Sequence, residues 1–187
     1  MNPLEWRTAV TLSAVYALRM LGMFLLLPVF ALYAPTLHHG NNAMWVGLAF
    51  GAYGLTQAFL QLPFGMASDK YGRKPVIYFG LLLFAAGSFW AAQAQSIEAL
   101  TWARALQGAG AVSAAVTALL ADLTREQVRT RAMAMIGLSI GLTFAVSLVL
   151  GPLLAHVIGV NGIFTLTGVL TLLAMVTIHF AVPNPQR

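Results

Sequence analysis

The chain has 187 residues, 59% hydrophobic and only 8% charged, against roughly 25% charged in ordinary soluble domains. So few charges exclude a water-covered globular surface. The net charge of +5, ten Lys and Arg against five Asp and Glu, sits between apolar runs rather than on a phosphate-binding face, which argues against nucleic acid as a partner; the absence of cysteine excludes disulfides, thiolate zinc sites and cysteine catalysis.

In chain order, six stretches carry the roughly 20 apolar residues a helix needs to cross a bilayer: about Thr8–Ala34, Met44–Ala67, Pro75–Ala94, Ala99–Ala121, Arg131–Val157 and Gly162–Val182. The first run far exceeds the roughly 7–15 residues of a signal h-region, so it reads as a retained helix. Backbone groups in lipid must be satisfied internally. The expected class is therefore an all-α integral membrane protein, a six-helix bundle with the lipid bilayer as its first partner.

The loops predict orientation. Arg7, Lys70, Arg73, Lys74, Arg125, Arg129, Arg131 and Arg187 fall on one side, while 35–43, 95–98 and 158–161 hold no Lys or Arg. The positive-inside rule then places both termini in the cytoplasm.

Span one carries Arg19 about eleven residues deep, roughly 16 Å at 1.5 Å per residue. A cation at that depth is costly unless it faces protein or water, so Arg19 is a candidate for a central cavity. On span two, Tyr53, Gln57 and Gln61 recur at i, i+4 and i+8 and form a second cavity candidate, beside a small-residue packing face at Gly47 and Gly51. Span three has little interior polarity, as has span six, which suggests outer, lipid-facing positions for both. Span four carries Arg104 and Gln107 in Arg104-Ala-Leu-Gln-Gly108-Ala-Gly110. Span five shows a Ser139, Thr143, Ser147 stripe, a packing face at Gly137 and Gly141, and Gly151-Pro152. Arginines in spans one and four, and terminal glycines in spans two and five (Gly65 and Gly151), fit an inverted three-plus-three repeat.

The link between spans two and three is the most informative stretch: Gly65-Met-Ala-Ser-Asp69-Lys-Tyr-Gly72-Arg73-Lys74. Gly65 permits close helix contact, Gly72 the positive φ of a tight turn, and Pro75 the first turn of a helix. A basic topology anchor explains Lys70, Arg73 and Lys74, but not Asp69 or the glycines.

This segment resembles the G-x-L-a-D-r-x-G-R-K motif of the major facilitator superfamily, matching at Gly65, Asp69, Gly72, Arg73 and Lys74. The 104–110 segment resembles that family's span-four R-x-x-x-G-x-G pattern. Gly151-Pro152 is similar to its antiporter motif, where Ala155 and His156 replace the usual Gly pair. The resemblance, closest to the drug:proton antiporter group, implies a pair between Arg73 and Asp122. It also implies a contact of Asp69 with a helix N-terminus in a C-terminal six-helix half. Both contacts would act in gating. It further implies a secondary transporter working by alternating access, here the N-terminal half, exporting a small-molecule substrate against protons from the bacterial inner membrane. No cofactor or metal is expected: His38 and His39 are adjacent loop residues without helical ligand spacing. His156 and His179 sit near span ends.

None of the acids Glu5, Asp69, Glu98, Asp122 and Glu126 lies within a span. Either the other half supplies a proton carrier, or a cavity arginine modulates a partner acid, or substrate is not exchanged for protons; Arg19 and Arg104 could equally attract an anionic substrate. A six-helix subunit without transport activity is the alternative. A membrane enzyme finds no H-E-x-x-H, G-x-S-x-G or intramembrane carboxylate pair.

Overall fold

The computed structural model describes residues 1–183, so Arg187 lies outside the described residues. Its elements are α1 (Pro3–Phe24), α2 (Phe30–Tyr33) with a following 3-10 turn (Ala34–Thr36), α3 (Ala43–Tyr71), α4 (Arg73–Ala92), α5 (Ile97–Ala109), α6 (Ser113–Asp122) and α7 (Glu126–Ala181). Among the described residues the only extended pairing is an isolated bridge between His38 and Ser96. Starts are set by capping side chains: Asn2 with Glu5 in a reciprocal box on α1, Asn42 on α3 and Ser96 on α5, each satisfying orphan backbone N–H groups.

α7 runs for 56 residues but bends at Gly159, whose φ of 71° and ψ of 169° lie in a region open essentially to glycine alone. The path reverses there. Arg125, just before α7, binds Glu5, and Ala181 at its far end accepts from Arg7, so both ends return to the start of α1. The limbs 126–158 and 160–181 are spans five and six, and the turn expected over 158–161 shrinks to one residue.

Two predicted spans are broken. Span one stops at Phe24, because Pro28 lacks the N–H that would bond the Phe24 carbonyl and its ring crowds that oxygen. Turns carry the chain to α2. Span four divides at Gly110, where the backbone leaves the helical region (φ −71°, ψ 49°). Each break follows five or six residues after a buried arginine, Arg19 or Arg104. α1 packs on α7 and α3 on α5, while α4 touches both α5 and α7. That exchange of partners is what an inverted repeat of three and three helices produces.

The apolar core forms two layers. One holds Leu12, Val15, Ile77, Leu81, Val112, Leu119 and Ile178; the other holds Leu26, Phe30, Ala91, Ile97, Ala103 and Phe164. Arg19 falls between Val15 and Leu26 in sequence, and Gln107 between Ala103 and Val112. The polar side chains thus occupy the seam between the layers. Spans three and six each bury one face, along Ile77, Leu81, Phe84 and Ser88 on α4 and at Thr167 and Thr171 on span six, and expose apolar residues on the other, such as Phe79, Leu82, Leu173 and Phe180. α3 and the first limb of α7 also turn broad faces outward, with Phe59, Leu62, Leu138 and Val149 exposed. Gly47, Gly51, Gly137 and Gly141 have open space where a methyl would stand; these small-residue faces meet nothing within the described chain.

Candidate functional site

Arg19 and Arg104 are each only 1% exposed, although they sit on apolar helices. Arg19 donates from Nη1 to Ser113 Oγ at 2.8 Å, and from Nη2 to Tyr53 OH at 3.3 Å and Gln57 Oε1 at 3.1 Å. Its guanidinium also lies over the Phe84 ring, 5.7 Å from the centroid. Four helices therefore meet at one charge: α1 supplies it, α3 and α6 supply acceptors, and α4 an aromatic face.

Arg104 lies over the Tyr53 ring at 4.9 Å and donates to Gln107 Oε1 at 2.8 Å. The Gln107 amide donates to Ser88 Oγ at 2.8 Å, and Ser88 donates to the Phe84 carbonyl. Tyr53 joins the two arginines, its hydroxyl serving one and its ring the other. Close backbone approach fixes it: a methyl at Gly108 would stand 2.1 Å from the Tyr53 carbonyl oxygen, so only glycine lets α5 lie against α3 here. The sequence identified Arg19, Tyr53, Gln57, Arg104 and Gln107, and the structure brings these five together. Gln61 is separate. It lines a groove of about 510 Å³ with Ala58, Leu62, Met66, Asp69 and Ala114. Ser113, Ser88 and Phe84 were missed; the one available signal was that Ser88 is a lone hydroxyl in an otherwise apolar stretch.

The basic end holds a second constellation. Arg73 Nε donates to Asp122 Oδ2 at 3.0 Å, and Nη1 donates to Ser68 Oγ at 2.8 Å and to Asp69 Oδ1. The anticipated Arg73–Asp122 pair is thus present, and Asp69 joins it. Partial burial works against the Arg73 charge, but Asp122 and then Asp69 outweigh it and raise the pKa. Gly72 has φ 102°, the left-handed turn expected of it, and Lys74 Nζ binds the Val182 carbonyl. Gly65 is less constrained than expected: a methyl there would meet Ala114 at 3.6 Å, an ordinary contact.

Gly151 packs where α1 ends, since a methyl there would stand 2.6 Å from the Leu25 carbonyl oxygen. Pro152 lines a groove of about 600 Å³ with Val29, Tyr33 and Ala155. Of the span-five stripe, Ser139 donates to the Ser13 carbonyl on α1 and Thr143 and Ser147 are buried, so it is a helix-packing face. Two ion pairs were not foreseen. Glu5 takes Arg125 Nε at 2.8 Å and Nη2 at 3.2 Å. At the opposite end, His39 Nδ1 lies 2.8 Å from Glu98 Oε1.

The Major Facilitator Superfamily profile matches residues 12–187. The inner membrane transport protein YajR of Escherichia coli is 50% identical over 184 residues, 98% of this chain and 40% of YajR. The multidrug resistance protein MdtL of Shewanella oneidensis is 33% identical over 121 residues, 64% of this chain and 30% of that protein. The chain thus spans less than half the length of these relatives. Among solved structures, the human organic anion transporter MFSD10 shares the fold with a TM-score of 0.84 at 21% identity, covering 100% of this chain and 49% of that one. With a profile match over most of its length and a six-helix architecture, the chain belongs to the major facilitator superfamily.

Proposed function

We propose that this chain is the N-terminal six-helix half of a secondary transporter that works by alternating access, exporting small amphipathic compounds in exchange for protons. The observation that carries this reading is a charged seam, built on Arg19 and Arg104, buried at mid-depth among helices whose neighbours α3 and α7 present open faces. Transporter halves meet at such faces, with substrate at mid-depth between them. The 50% identity to an inner membrane transport protein supports transport, and the likeness to a multidrug resistance protein supports drug export. The basic end is read as cytoplasmic, with both termini there.

Arg73, bound to Asp69 and Asp122, is read as part of a cytoplasmic latch. Asp69 remains mostly exposed and free to receive a helix N-terminus from the second half, where a carboxylate is favoured by the dipole. No carboxylate lies within a span of this chain, so the proton-carrying acid belongs to the second half. The test is proton release on addition of substrate to the purified full-length protein. Release that disappears when a second-half intramembrane acid is neutralised supports exchange; transport without release contradicts it. A six-helix subunit without transport activity predicts neither transport nor release.

A further inference from the structure

Arg19 is sealed, yet every one of its hydrogen bonds ends on a neutral oxygen, and its Nε has no partner among the described residues. The five carboxylates of the chain stand elsewhere: Glu5 on Arg125, Asp69 and Asp122 on Arg73, Glu98 on His39, and Glu126 at the start of α7. A buried guanidinium without a counter-charge is costly in low dielectric. Resting on the transporter reading above, we propose that Arg19 is the receptor for the anionic headgroup of a transported compound, and that Gln57 is the group that gives way to it.

Three features of the geometry converge on this. The Nε–H and the adjoining Nη2 form the side edge of the guanidinium, the fork that takes a carboxylate through two parallel bonds. One tine, Nε, is unoccupied. The other, Nη2, is held by the longer of the Arg19 bonds, to Gln57 and Tyr53. Gln57 is also the only one of the three acceptors that is not buried, so its amide can turn outward without breaking the core. Exchanging a neutral amide oxygen for a carboxylate gains a charge-assisted bond, roughly twice as strong, in a poorly solvated place.

A groove runs close to that fork. It is lined by Gln61, Ala58 and Ala114, and the residues directly before Ala58 and Ala114 in sequence, Gln57 and Ser113, are both acceptors of Arg19. Its outer end is marked by Asp69, roughly 18 Å along α3 at 1.5 Å per residue. Arg104 offers no comparable opening, because Gln107 and Tyr53 around it are both buried. Arg104 is a positioning residue, holding the Tyr53 ring whose hydroxyl meets Arg19.

The test uses the purified full-length protein and three probes with one apolar body: 1-naphthoate, 1-naphthylmethylammonium and 1-naphthylmethanol, with binding read by calorimetry. The wild type is expected to prefer naphthoate. R19Q should lose that preference by roughly tenfold or more, R19K should keep it in weakened form, and Q57A should bind naphthoate more tightly than wild type. Selectivity among headgroups is not moved by a merely structural role, and R19K and Q57A carry the test if R19Q fails to fold. Equal binding of the three probes, or naphthoate affinity unchanged in R19Q, overturns the proposal. So does absence of naphthoate binding, the result expected if a carboxylate of the protein itself occupies the fork. A preference for the ammonium probe also overturns it while leaving transport intact. A protein that binds naphthoate but moves no compound across a bilayer contradicts the transporter reading instead.

Discussion

Glu5 completes the capping box of α1 and also accepts from the backbone N–H and guanidinium of Arg125. The Arg125 side-chain bond first, then the Asn2 backbone N–H, bring its pKa from 4.5 down to about 2. A carboxylate whose folded pKa is depressed contributes stability above the unfolded value, and that contribution is lost as pH falls through the interval between the two. E5Q is therefore expected to lower the melting temperature near pH 7 and to flatten its decline between about pH 4.5 and pH 2; a melting curve with unchanged pH dependence contradicts this. At Gly108, alanine would collide with the Tyr53 carbonyl, so G108A should destabilise by about 1–3 kcal/mol as other overpacked sites do. G47A, which faces open space, should not destabilise this half; thermal unfolding compares the two. Arg19, Arg104, Tyr53 and Gln57 were legible because charge and amide groups are conspicuous in apolar helices. Ser88 and Ser113 were not, because a hydroxyl can bond its own helix carbonyl and nothing in sequence shows which ones turn to a neighbour. Glu5 and Arg125 lie 120 residues apart, beyond any periodicity.

Helices follow hydrophobic run length closely here, but their interruptions do not. Six spans were legible, and all six are present. The breaks at Pro28 and at Gly110 were not, since a run of apolar residues looks the same whether it is one helix or two pieces meeting at an angle. Gly110 is decided by packing: a methyl there would stand 2.3 Å from the Gly80 carbonyl oxygen on α4, and Gly80 itself faces Val112. The hinge of α7 rests on Gly159 alone. A methyl there meets no neighbour, so G159A isolates backbone strain from crowding, and it should cost about 1–3 kcal/mol. The comparison is denaturant unfolding of G159A against G141A, a position of ordinary helical backbone where the added methyl likewise meets no neighbour. Equal stability of wild type and G159A would mean that the reversal does not depend on the left-handed backbone.

At the scale of the molecule, two ends and one seam divide the work. The basic end binds its elements through Arg7, Arg73, Lys74 and Arg125 to α7, Asp122, Val182 and Glu5. The opposite end is joined by the His38–Ser96 bridge, the His39–Glu98 pair and the Tyr33–Asn161 bond. The seam between the apolar layers holds two arginines without a carboxylate. The outward faces of α3 and span five carry the small residues at which a second half is proposed to pack. The proposed alternating access requires the basic end to open while the seam stays assembled, so weakening the Arg73 cluster should shift the resting equilibrium without dissolving the bundle. The chain has no cysteine, so a cysteine at Gln61, in the groove that also holds Asp69, reports access from the basic end, proposed to be cytoplasmic, once cysteines elsewhere in the full-length protein are replaced. The decisive measurement is the rate of maleimide labelling at that position in wild type and in D69N. The account predicts faster labelling from the cytoplasmic side in D69N, as the latch loosens and the inward-open state gains population. Identical rates, with the protein folded and the label otherwise reactive, would contradict a gating role for Asp69 and the Arg73 cluster.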